Sequence, residues 1–250
     1  MKTLRIITAV LTMILISSTI GYGQKIMKLN SDLKSGSQPV EAKRKGMSSV
    51  GKYEFGPYRI VSGKGGWGTT TSNKKMFSFK TKSESKSKSS FVFTINDKDT
   101  INVNTATNTK FTETEVGNFG FLNNSVDNYS AIIAPEYDTT LWKMVVTFNM
   151  GEDVNGNFKA AGAMTNGQMT IEIREVRVWE DGKTPMMKAI CGYEFYLENT
   201  AIAAVQSCMD TTKKKFVWLR QDLDQPIKNI LAAASAALMV HTDTQTSQLN

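Results

Sequence analysis

Apolar positions come in short bursts along the chain, and from Tyr53 onward the bursts have the texture of strands. "YEFGPYRIV", "KMFSFKTK", "SFVFTI", "TINVN", "YSAIIA", "LWKMVVTF", "MTIEIREVRVW", "MKAICGYEFYL", "IAAVQSC" and "KFVWLR" are rich in Val, Ile, Phe, Tyr, Trp and Thr. Such side chains suit a pleated, half-buried surface. Between the bursts stand Asn155-Gly156, Asn166-Gly167 and Asp181-Gly182, pairs that accept the positive φ of tight hairpin turns. No segment of helical period separates these strands, so parallel strand–helix–strand units are not available. The pattern predicts a mainly β fold, an antiparallel β-sandwich or partly open barrel.

One stretch breaks the texture. In "DLDQPIKNILAAASAALMV", Asp224 can cap a helix and Pro226 falls in its first turn. Ile227, Ile230, Leu231, Ala234 and Leu238 recur at helical spacing and form one apolar stripe. This predicts a C-terminal α-helix over about 225–240, laid against one face of a sheet, followed by a polar tail that frays.

The other end of the chain has a different pattern. Lys2 and Arg5 precede an apolar run from Ile6 to Ile16, which ends at Gly21-Tyr22-Gly23. This is the layout of a secretory signal peptide over residues 1–23, and its core is too short for a spanning helix. Export to the periplasm or the medium is the expectation, with no transmembrane segment left after cleavage. Residues 24–49 are rich in Lys, Ser and Gly without a sustained period and read as a basic, flexible leader. The β-rich domain then occupies residues 50–250.

Charge sharpens this picture. Residues 24–88 carry 15 basic and 4 acidic side chains, whereas 13 basic and 19 acidic ones follow from Ser89. Such asymmetry suggests a basic arm or face that meets an anionic partner. Lys43, Arg44, Lys45, Lys82, Lys86 and Lys88 are the candidate patch. The partner class is an anionic envelope component, a lipid headgroup, lipopolysaccharide or polysaccharide, and not a nucleic acid.

Motifs of chemistry are sparse. "GKGGWG", Gly63 to Gly68, satisfies G-x-G-x-x-G, but a dinucleotide loop needs a helix to begin at its third glycine. Here "TTTSNKKMFSF" follows, a strand-like run, so the glycines read as a turn or bulge that folds Trp67 back onto the sheet. The one histidine, His241, falls in the tail, where it is a poor base for a nucleophilic triad and cannot build a histidine zinc site. "DVNGN" starts like a calcium loop, yet Phe158 and Met164 stand where glycine and an acid are needed. A two-carboxylate glycan hydrolase would have to draw on Glu113, Glu115, Asp127, Glu136, Glu172 or Glu194. No cofactor or metal is implied.

Cys191 and Cys208 flank a hairpin. With a two-residue loop at Asn199-Thr200 they stand directly opposite each other, which predicts a cross-strand disulfide in an oxidising compartment. Together these features describe an exported, non-catalytic binding or structural module of a bacterial cell envelope, with the carboxylate-dependent hydrolase as the alternative.

Overall fold

A computed structural model describes residues 25–46, 50–65, 69–74, 80–116, 119–150, 160–185, 189–208 and 214–249. The leader peptide expected at 1–23 lies outside them. A short helix, α1 (Ser31–Gly36), precedes thirteen strands. These are β1 (Val40–Lys45), β2 (Lys52–Phe55), β3 (Tyr58–Gly65), β4 (Thr69–Lys74), β5 (Lys80–Ile95), β6 (Asp99–Val116) and β7 (Phe119–Pro135). They continue as β8 (Trp142–Met150), β9 (Ala160–Thr165), β10 (Thr170–Val176), β11 (Gly192–Leu197), β12 (Thr200–Gln206) and β13 (Lys215–Leu219). The chain ends on a long helix, α2 (Gln225–Leu249).

All pairings are antiparallel, and the sheet runs β3-β2-β1-β13-β12 and on in sequence down to β5 and β4. A further pairing of β3 with β5 closes the ring, giving a twelve-strand barrel. The fold is therefore a closed barrel and not a sandwich. Alternation along a strand cannot distinguish the two, because both bury one face of every strand. Closure depends on β5 finding β3 on its free edge, a non-local pairing in which the register shifts at Ile60–Ser62.

The strand β4 pairs with β5 just beyond the point where β3 stops. The chain is thus strand on both sides of "GGWG", and no helix follows to hold a pyrophosphate. Gly66, Trp67 and Gly68 themselves lie outside the described residues.

What fills the barrel departs most from the sequence reading. The inward positions are apolar: Phe91, Phe93 and Ile95 on β5, Ile101 and Val103 on β6, Ala131 and Ile133 on β7, Trp142, Met144 and Val146 on β8. They pack on α2, which is buried on every side from Ile230 to Thr242. Side chains reach it from around the ring. Tyr129 on β7 donates to the Ala237 carbonyl at 2.9 Å, and Tyr53 on β2 to Asp243 at 2.6 Å. Lys215 on β13 donates to the same Asp243 at 2.6 Å. So α2 is the plug of the barrel, not a helix lying on one sheet face. Five alanines between Ala232 and Ala237 keep it thin enough for the lumen while favouring helix at each position. The helix also runs through the tail that was expected to fray, to Leu249.

A second, smaller core lies outside the ring. Met27 and Leu33 cover Trp179, Tyr196, Cys191, Cys208, Phe216 and Trp218 on the outer face of β11–β13 and the segment after β10. The basic leader expected at 24–49 is thus, where described, a strap followed by a barrel strand. Lys28 N–H donates to the Val178 carbonyl and Glu180 N–H to the Ile26 carbonyl, each at 2.8 Å, while Met27 N–H donates to Gln206 Oε1 at 2.8 Å. The strap needs Gly192 beneath it: a Cβ there would sit 2.5 Å from Met27 Sδ and 2.1 Å from the Val205 carbonyl oxygen. Leader composition hid this, since two buried anchors in a polar segment leave no period.

The expected disulfide is absent. Leu197 pairs with Thr200, so the two-residue turn is Glu198-Asn199, both at positive φ (49° and 69°), one position earlier than expected. A bulge at Phe195–Tyr196 then shifts the register again, and Gly192 pairs with Gln206. Cys191 consequently faces Ser207, whose N–H donates to the Cys191 carbonyl at 3.0 Å. Neither cysteine is in a disulfide, and both are buried. Burial, with Cys208 nearby adding to it, pushes the Cys191 thiol up to about 12. Thiolate is the reactive form, so native protein should be silent to a thiol-disulfide reagent at neutral pH and release two equivalents in denaturant. Mass measurement without reductant that finds two hydrogens missing would overturn this register.

Candidate functional site

Two places on the barrel gather polar groups. The first is inside, at the mouth of the lumen near the C-terminal half of α2. A cavity of about 140 Å³ is bounded there by Ser87, Ser89, Thr105, Thr107, Tyr129 and His241, with Lys88 at its rim. The inward faces of β5 and β6 are apolar at Phe91 and Val103 and turn to hydroxyls at the next two cross-strand pairs, Ser89–Thr105 and Ser87–Thr107. Ser89 Oγ and Thr105 Oγ1 are 2.6 Å apart. The His241 ring lies on Tyr129, with centroids 4.3 Å apart, and its Nδ1 is 3.4 Å from Thr107 Oγ1. Next to this cavity Asp243 ties α2 to the wall. It accepts from Tyr53 and Lys215, and Arg44 Nε approaches at 3.5 Å. Burial lowers the Lys215 ammonium pKa, against the pull of Asp243, and burial and Asp243 together raise that of the Tyr53 hydroxyl.

The second place is outside. Beyond Glu54–Arg59 and Phe55–Tyr58, β2 and β3 make no further pairs, and an open groove of about 300 Å³ lies over their divergence. Lys45, Lys52, Glu54 and Arg59 line it. Lys45 and Lys52 are directly opposed across β1 and β2. Like charges in that position work against the sheet. Glu54, paired to Lys45, is held below the usual carboxylate range chiefly by that lysine.

The structure divides the basic patch expected from sequence. Lys43 and Lys45 point outward on β1, whereas Arg44 points inward toward Asp243. Lys86 and Lys88 are exposed on β5, with β2 and β3 between them and β1. Lys82 belongs to β5, but its side chain lies outside the described residues. Lys52 and Arg59, which complete the outer groove, were missed. Their signal was available: after the Phe55–Tyr58 hairpin, both occupy the polar face of strands whose apolar alternates are Tyr53, Phe55 and Ile60.

The candidate acids do not assemble. Glu136 accepts from Asn102 at 3.0 Å, and Glu172 is paired to Arg174 at 2.6 Å. Glu194 is buried beneath the strap, accepting from Asn30 N–H and from Tyr196 O–H at 2.6 Å each. The side chains of Glu113, Glu115 and Asp127 lie outside the described residues. Among the described residues no group of three His, Cys, Asp or Glu is placed to hold a metal ion. No described helix is long and apolar enough to cross a membrane, which says nothing about crossing by strands.

These features define a class by architecture, a β-barrel plugged by its own C-terminal helix. Protein-family models, curated proteins and solved structures show no match to the chain.

Proposed function

We propose that the protein is an exported, non-catalytic binding or structural module of a bacterial cell envelope, whose outer face meets an anionic lipid headgroup, lipopolysaccharide or polysaccharide. The observation that carries this reading is the opposed pair Lys45–Lys52 in an open groove, with Arg59, itself paired to Asp97 at 2.6 Å, beside it and Glu54 the one acid among the lining residues. A sheet tolerates such an arrangement at some cost to itself, and a bound anion relieves it. The plug supports the same reading, since with α2 in the lumen a large ligand has only the exterior to bind. The pinned carboxylates Glu172 and Glu194 speak against the hydrolase alternative.

Attraction between an exposed basic groove and an anionic surface is long-ranged and screened by salt within about 8 Å at physiological strength. The full chain is expected to sediment with vesicles containing anionic lipid at low salt and to be released as salt rises. Lys45→Gln with Lys52→Gln should weaken that binding by about tenfold and leave the melting temperature unchanged or slightly raised, since the opposed charges are gone. Equal binding by the double variant would move the partner surface elsewhere on the barrel.

A further inference from the structure

The outer wall of the barrel carries a further feature, away from the β1–β3 groove. Among the described residues five large apolar side chains are exposed, and four of them, Ile132, Tyr137, Leu141 and Val145, belong to the β7–β8 hairpin. Single exposed apolar residues are ordinary, but a group on one face marks a contact surface. Alternation sends Tyr129, Ala131 and Ile133 into the lumen and Ser130 and Ile132 outward. Ile132 stands in a row with Asn104 and Lys143, and Val145 in the next row with Ala106, Ser130 and Ala163. With small neighbours beside it, Val145 stands clear of the sheet at 53% exposure, and Ile132 is 45% exposed.

Charge is graded along this face. Toward one end stand Lys88, level with Val145, and Lys86 one row beyond it. The described outward side chains of β5–β8 in these rows include no carboxylate. At the other end the turns 96–99 and 136–141 hold Asp99, Glu136, Asp138 and Asp97, the last paired to Arg59, against Lys98. Glu136 reaches back along the face to accept from Asn102 at 3.0 Å.

We propose that this face of β5–β8 binds the same face of a second copy, the two barrels antiparallel about a two-fold axis that crosses the strands between the Ile132 and Val145 rows. An isologous contact must be complementary to itself. This axis lays each Ile132 over the small Ser130 of the other copy and each Val145 along the stem of its Lys143. It also brings Lys86 of one copy within one strand spacing, about 5 Å, of the Glu136–Asn102 pair of the other. An axis running along the strands would set lysine on lysine instead. An anionic lipid surface would have to accept the acidic turns as well. Ile132, Leu141 and Val145 on a convex wall make a small interface, so the dimer is reversible, with a dissociation constant on the order of 100 μM. The contact depends neither on the envelope reading nor on its groove.

Sedimentation velocity of the full chain over a concentration series should show a monomer–dimer equilibrium. Val145→Lys is expected to raise the dissociation constant about tenfold and leave the melting temperature unchanged. If that variant loses its cooperative melt, Val145→Thr with Ile132→Thr keeps the β-branched shape and tests the same contact. Lys86→Glu and Glu136→Lys should each weaken the dimer about fivefold, and the two together should restore it. A merely structural role for either residue would give no such rescue. Lys45→Gln with Lys52→Gln should leave the equilibrium unchanged, so failure here and failure of the outer groove are told apart. The proposal is overturned if the chain stays monomeric to about 1 mM, or if a dimer forms that neither the Val145 variants nor the charge exchange alters. A monomer that sediments with anionic vesicles, and loses this in the threonine variant, would assign the face to lipid and overturn it too.

Discussion

Leu231→Asp is expected to abolish cooperative folding. Leu231 is fully buried in the plug, among inward side chains of the barrel wall. Truncating such a leucine costs about 2–5 kcal/mol from lost transfer and the cavity left behind. The carboxylate adds the cost of an unpaired buried charge, which the group evades only by binding a proton. The sum rivals the whole stability of an ordinary domain, about 5–15 kcal/mol. Denaturant unfolding followed by tryptophan fluorescence should lose its sigmoidal transition. Leu231→Met, which conserves volume, should cost less than about 1.5 kcal/mol and serves as the control. A cooperative Leu231→Asp protein with a midpoint near that of the parent would mean that α2 does not occupy the lumen.

That prediction depends on a feature the sequence concealed. Helix α2 was legible as a helix, with Pro226 in its first turn and the Lys228 N–H bonded to the Asp224 carbonyl at 3.0 Å. Its surroundings were not legible. Ile227, Ile230, Leu231, Ala234 and Leu238 mark one stripe, but the opposite side is alanine and serine, residues that read as neutral on a hydropathy scale and yet fit a narrow lumen. Ser235 and Thr242 take their hydroxyls out of the apolar environment by bonding back to the Leu231 and Leu238 carbonyls at 2.8 and 3.0 Å. The strands were legible for the complementary reason, since each buries one face and alternates. Which strand closes on which is a property of the assembled sheet. The same limit defeated the cysteine register, where a turn displaced by one residue moves the partner of Cys191 by two positions and a single bulge restores only one of them.

The outer groove shows the reverse case. Charge counting found the basic third of the chain, but it grouped Arg44 with Lys43 and Lys45, although alternation along β1 sends Arg44 to the other face. Strand periodicity applied to "VEAKRK" would have separated them, had the segment been read as a strand. Flanking Ser and Gly, and the lack of apolar neighbours on the outward side, made it resemble a leader instead. The strap residues Met27 and Leu33 were hidden by the same composition.

Asp243→Ala is the second substitution with a large expected effect. The carboxylate is mostly buried, as is its partner Lys215, with side-chain exposures of 14% and 12%. Removing it leaves the Lys215 ammonium and the Tyr53 hydroxyl without their shared acceptor, at a cost of about 3–5 kcal/mol for a buried pair broken on one side. The loss should depend on pH in a direction the structure fixes. In the parent chain burial already lowers the Lys215 pKa and Asp243 opposes that. Without Asp243 the folded-state pKa falls further below the unfolded value, so the unfolded chain binds more protons across that interval. Stability of the variant relative to the parent should therefore recover as pH rises from 7 toward 9, where Lys215 can stay neutral in the fold. Adding Lys215→Met to Asp243→Leu removes both charges at similar volume and should restore much of the stability, since a buried ion pair contributes little beyond what well-packed apolar groups supply. Thermal melts of the parent and the two variants at pH 7 and pH 9 make the test. An Asp243→Ala protein within about 1 kcal/mol of the parent at pH 7 would mean that the C-terminal half of α2 is not tied to the barrel wall through this pair.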